Sequence, residues 1–139
     1  MQDLEFAQRI IETADEYHFT AEEQWRLAIE LEPTDEASLF EFKRIVRAAL
    51  LFYARAYLIL DMVETDEDQS LEDILEIIAE SREDIRDFFQ SNNVFESLDE
   101  EGSAEFSRIF SVAEAVRSIL LENSNHLATT LHSRFLQKG

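Results

Sequence analysis

Residues 48–60 read Ala-Ala-Leu-Leu-Phe-Tyr-Ala-Arg-Ala-Tyr-Leu-Ile-Leu, with Arg55 the one charge in the run. Pro33 cannot continue a preceding helix, and Thr34 or Asp35 can cap the next one, so the run belongs to a helix predicted from about Glu36 to Val63. That segment contains no Gly or Pro and would be about 42 Å long at ~1.5 Å per residue. Its second half is apolar nearly all round, so more than one neighbour must cover it. It is expected to be a central helix or to take part in a dimer contact.

The flanking segments carry helical signals as well. Leu4, Ala7, Ile10, Ile11, Ala14 and Tyr17 recur at the spacing of an amphipathic helix over Asp3 to about Tyr17. Thr20 followed by Glu23 matches a capping box, which predicts a second, short helix to about Leu31. Ser70 with Asp73 opens a further helix to about Gln90, with Leu71, Ile74, Leu75, Ile78, Ile85 and Phe88 as its core stripe. Ser91 to Gly102 lacks helical periodicity and reads as a loop pinned by Val94, Phe95 and Leu98. From Ser103 and Phe106 a fifth helix places Ile109, Phe110, Ala113, Val116, Leu120 and Leu121 inward, and His126 to Leu136 finishes the chain. Asn123-Ser124-Asn125 between them permits either a kink or a straight run. Ala28-Ile29-Glu30-Leu31-Glu32-Pro33 looks like the end of a tetratricopeptide unit, but no copies stand about 34 residues to either side, and a repeat array is set aside.

Composition agrees with a helical reading. The 139 residues suit one domain, 45% of them are apolar with 11 Phe, and only 2 Gly and 1 Pro supply turns. With no Cys, disulfides, thiolate metal sites and cysteine nucleophiles are all excluded. The acidic start Met1-Gln2-Asp3-Leu4-Glu5 is unlike a signal peptide, and no apolar run reaches the ~20 residues of a membrane span, so a cytoplasmic protein is expected. Of the formal net charge of −19, residues 61–105 carry −15, with 17 acids against Arg82 and Arg86. Such a region repels nucleic acid phosphates and anionic lipid, and attracts basic partners or divalent cations; otherwise it serves as a solubilising face.

Catalytic patterns are sparse. A phosphate-cradling loop needs several glycines, and only Gly102 and Gly139 exist. No glycine-flanked serine nucleophile occurs. Among the histidines, Asp15 and His18 are spaced like a carboxylate-x-x-His pair, and Glu122 and His126 stand four apart, which makes His18 and His126 the metal-ligand candidates. Neither pair completes a di-iron motif, and no cofactor is expected. Asn-His-Leu-Ala-Thr around His126 is similar to the exposed histidine of phosphotransfer bundles but lacks their following Lys. Lys43, Arg44, Arg47 and Arg55 concentrate basic charge on the long helix, which suits an anion or, alternatively, internal pairing with the acidic helix after Ser70. Internal pairing is the favoured expectation.

The order of elements, with Ala-Leu-Leu-Phe-Tyr-Ala-Arg-Ala-Tyr-Leu and Ser70-Leu71-Glu72-Asp73-Ile74-Leu75, resembles the HEPN family of small helical bundles over about residues 3–122. RNA-cleaving members carry an Arg followed by a polar residue and, shortly after, a His. This chain departs from that motif, since its nearest pair, Arg117 and His126, would lie on opposite helix faces. The resemblance therefore implies a non-catalytic bundle that dimerises or binds a partner, or else a nucleic-acid- or nucleotide-associated protein. Independently, Trp25, Phe52, Tyr53 and Tyr57 offer aromatic surface for an interface, with core packing as the rival assignment. The expectation is an all-α, up-and-down bundle of about five or six helices around a long central helix. It would act by protein contact, as a homodimer or with a basic protein partner, rather than on nucleic acid or membrane; a metal- or anion-binding bundle is the alternative.

Overall fold

A computed structural model describes residues 2–136, and all regular structure among them is helical. Six α-helices follow one another: α1 (Gln2–Glu30), α2 (Glu36–Leu60), α3 (Leu71–Ser81), α4 (Glu83–Ser91), α5 (Val94–Leu98) and α6 (Phe106–Leu131). A π-helical turn, His132–Leu136, closes the described chain, and Gly139 lies outside it. None of these helices is long and apolar enough to cross a membrane.

The all-α bundle around a long central helix is as expected, and α2 is that helix. Asp35 caps it: its carboxylate accepts from the Ser38 amide at 2.8 Å, while Ser38 Oγ accepts from the Asp35 amide. At the other end the Val63 amide donates to Leu58 O and the Met62 amide to Ile59 O, a Schellman arrangement that places Met62 at φ 62°. The helix thus stops three residues before the predicted Val63. No glycine marks the stop, because Met occupies the left-handed position that glycine usually fills.

α1 is continuous, which corrects the two helices expected before Pro33. Thr20 caps nothing; its hydroxyl donates back to Glu16 O at 3.2 Å inside the helix. What holds α1 in place is a heptad of alanines, Ala7, Ala14, Ala21 and Ala28, each at most 2% exposed. A seven-residue spacing keeps one stripe of a helix facing its neighbour, and the missing side-chain bulk lets the backbones approach closely. Ala49, Ala54 and Ala56 on α2 are likewise fully buried. Around this seam, Ile10 and Ala14 pack with Ala56, Leu60 and Leu131, whereas Ala21, Trp25 and Ala28 join Phe42, Val46 and Phe110 at the opposite end. Hence α1 runs antiparallel to α2 and α6, and α2 and α6 run side by side in the same direction.

Between α2 and α6 the chain must return to the start of α2, and the acidic residues 61–105 make that return. Ser70 and Asp73 form the expected reciprocal cap of α3. The helix predicted to reach Gln90 instead breaks at Arg82, which is extended (φ −135°, ψ 102°) and separates α3 from α4. The predicted loop 91–102 contains the short α5, whose Val94 and Leu98 are the anchors expected of it. α6 passes through Asn123-Ser124-Asn125 without interruption, since Asn123 donates to Ile119 O within the helix. The last segment is therefore continuous with the helix before it.

Candidate functional site

Three polar groupings stand out, and they have different chemical capacities. The first joins the three long helices. Tyr53 is fully buried on α2 and its hydroxyl donates to Glu22 Oε1 at 2.6 Å; Arg117 of α6 donates from Nε to Tyr53 Oη and from Nη2 to Glu22 Oε1, both at 2.8 Å. The guanidinium also lies 5.1 Å from the Trp25 ring centroid and 5.3 Å from that of Tyr53, within cation–π range. Burial tends to raise the Glu22 carboxyl, but the hydrogen bonds from Tyr53 and Arg117 outweigh it and hold the group below its ordinary value. Burial and the Glu22 carboxylate push the Tyr53 hydroxyl upward, so it remains a donor at neutral pH. One turn before Glu22, His18 stands beside the Tyr53 ring with Nε2 buried and unpartnered. Burial lowers its pKa against the opposing pull of Asp15 and Glu22. This grouping is a packed bridge between helices, and none of the clefts described below opens onto it.

The second grouping is the basic stripe of α2, whose members the structure sends to different partners. Lys43 is buried, and its Nζ donates to the backbone carbonyls of Asp99 (2.9 Å) and Gly102 (3.0 Å), with Glu100 O at 3.4 Å. Arg47, also buried, donates to Leu98 O and pairs with Glu72 at 2.6 Å and with Glu100 at 3.5 Å. Arg55 donates to the carbonyls of Asp66 and Glu67 and leaves Nε buried without a partner. Only Arg44 points outward, paired with Glu41. Three of the four cations thus clamp the acidic return segment onto α2, the internal pairing favoured for this stripe, because buried cations need acceptors and the segment's carbonyls and carboxylates supply them.

The third grouping is the acidic surface. Of the 17 carboxylates in residues 61–105, all but Glu72 are exposed. The cations that face them are spoken for. Arg82 binds Asp84 at 2.7 Å, Arg86 lies 3.6 Å from Glu83, and Arg108 donates to Ser97 Oγ and Asn92 O. Two clefts flank the loop at 99–104. One, of about 390 Å³, is lined by Glu96, Asp99 and Arg108 among others; the second, of about 380 Å³, lies against the start of α2.

The interface candidates require correction too. Trp25, Tyr53 and Tyr57 are at most 6% exposed in the single chain, and Phe52 is half-buried, tilted against Tyr17 at 6.2 Å. They pack the core, because α1, α3 and α6 between them cover the apolar sides of α2. His18 and His126 are not brought together: His126 is exposed on α6, and among the described residues no group of three or more metal-ligating side chains converges. Arg117 and His126 likewise stay apart on one continuous helix, with Arg117 engaged by Glu22 and Tyr53. Comparison of the chain with family models, with curated proteins and with solved structures found no match.

Proposed function

We propose that the protein is a non-catalytic helical module that acts by binding a basic protein partner on its acidic return segment. One observation carries this reading. Sixteen carboxylates of residues 61–105 are exposed, while the cations facing them are tied to acceptors within the same chain. Internal neutralisation is thereby used up, and the remaining negative field steers and holds positively charged surfaces while repelling phosphate backbones and anionic lipid. The resemblance to HEPN bundles, which implies a non-catalytic bundle that dimerises or binds a partner, is compatible with this reading.

Carbodiimide cross-linking in the source cells tests this, because the reagent joins carboxylates to lysine amines at zero length. The reading expects intermolecular cross-links from residues 61–105 to lysines of one other protein. Cross-links confined to copies of this chain, or spread evenly over the acids of α1 and α6, would contradict it.

A further inference from the structure

Phe40 sits in the second turn of α2 and is 58% exposed, although its neighbours Phe42 and Val46 are buried. Beside it opens the cleft of about 380 Å³, with Leu39 and Ala104 as apolar lining, Glu36 on one rim and Glu100 and Glu101 on the other. The second rim is built rigidly. Lys43 holds the carbonyls of Asp99 and Gly102 from below, the Gly102 amide donates to Asp99 O at 3.0 Å, and the Glu101 amide donates to Asp99 Oδ1 at 3.3 Å. A Cβ on Gly102 would approach Glu96 O to 3.1 Å and Asp99 O to 3.2 Å, so the loop backbone is fitted closely against α5. Lys43 is the one cation in the lining and is already committed to the loop carbonyls. The groove therefore presents an exposed aromatic ring and an apolar floor between carboxylates carried on a held backbone; of these, exposed Glu100 also lies 3.5 Å from Arg47.

We infer that this groove docks a basic segment of the partner protein. An apolar side chain of that segment lies against Phe40 and Leu39, and the Lys or Arg residues flanking it pair with Glu36, Glu100 and Glu101. The inference rests on the acidic-face reading and deepens it by naming the groove and the pattern it selects. Charge argues against a second copy as occupant, since a two-fold contact would set these three carboxylates against themselves. Phosphate-bearing partners meet the same repulsion.

The test uses two blocked peptides, one alternating Arg with Leu and one alternating Arg with Ser, titrated against the whole chain by fluorescence anisotropy. Burying the leucines should make the first bind about ten-fold tighter. Phe40→Ser, at an exposed helical position, should remove that preference. Glu100→Gln with Glu101→Gln should weaken binding about five-fold or more, and Glu67→Gln with Asp68→Asn, an equal charge loss outside the groove, about two-fold or less. Equal affinity for the two peptides, or equal losses in the two double variants, would overturn the groove while leaving the acidic-face reading standing. No binding of either peptide to the unaltered protein at low salt would overturn both.

Discussion

Arg117 Nη2 donates to Glu22 Oε1 across 2.8 Å, an ion pair that ties α6 to α1 over 95 residues of chain. Tyr53 Oη bridges the same two groups, so the three side chains form one unit rather than three separate contacts. Networks of this kind couple their members, and removing one weakens what the others contribute.

Tyr53→Phe is therefore expected to cost about 1–2 kcal/mol and Glu22→Gln about 1 kcal/mol in urea unfolding, the second value being small because Glu22 and Arg117 are partly exposed. The double variant should lose less than the sum. Glu22 also sets a pH dependence. Its folded pKa lies below the ordinary 4.5, so its contribution is complete above about pH 4.5 and disappears as pH falls through the lower folded value. Glu22→Gln should flatten that acid limb of the stability curve, and strictly additive costs with an unchanged acid limb would show that the residues act independently.

His18 titrates in the opposite setting. Burial lowers its pKa from 6.5, so below pH 6.5 the unfolded chain takes up the proton more readily than the folded one, and stability falls as pH drops towards the folded value. His18→Phe keeps the ring and removes the titration. Chemical denaturation at pH 7 and pH 5.5 should show the wild type losing stability relative to this variant, whereas parallel behaviour would mean that His18 is freely solvated.

Core placement of the aromatics predicts unfolding rather than dissociation. Tyr57→Ser opens a large hole at a position 1% exposed and should cost about 3–5 kcal/mol, the scale of large-to-small core substitutions. Phe52→Ser, half-buried, should cost less. Thermal melts combined with light scattering read both quantities, and a folded Tyr57 variant that merely changed its oligomeric state would refute the core assignment.

Lys43 is expected to control the order of the loop it holds. Lys43→Met keeps the aliphatic stem and removes the ammonium from two close carbonyls, which should cost about 1–3 kcal/mol. Hydrogen exchange should accelerate at the Gly102 amide, now bonded to Asp99 O, and should stay unchanged in α1. Uniform acceleration over the whole chain would indicate a general loss of stability instead of a loop clamp.

Much of this architecture was legible locally. The caps at Asp35 and Ser70 are short-range chemistry, and both form as their residues indicate. Ile78, Ile85 and Phe89 keep helical spacing straight across Arg82, so periodicity alone carries no sign of the break there. Thr20 shows the converse: the same hydroxyl suits a cap or a back-bond to Glu16, and only the packing of Ala14 and Ala21 on either side decides for an unbroken helix. The alanine heptad of α1 was readable and is the signal that would have shown it. The Glu22–Tyr53–Arg117 unit was not, since its members stand 31, 64 and 95 residues apart and nothing local relates them. For the basic stripe, internal pairing was foreseeable from charge, but the capture of main-chain carbonyls by Lys43 depends on where the return segment lands.

The most direct measurement of the central claim is a native mass spectrum of the protein taken from its own cells, recorded over a series of ammonium acetate concentrations. The account predicts a complex with a basic protein chain that dissociates as the salt is raised, because the contact is made chiefly through exposed carboxylates. A salt-resistant homodimer, or a chain carrying a metal or small-ligand mass and no protein partner, would contradict it.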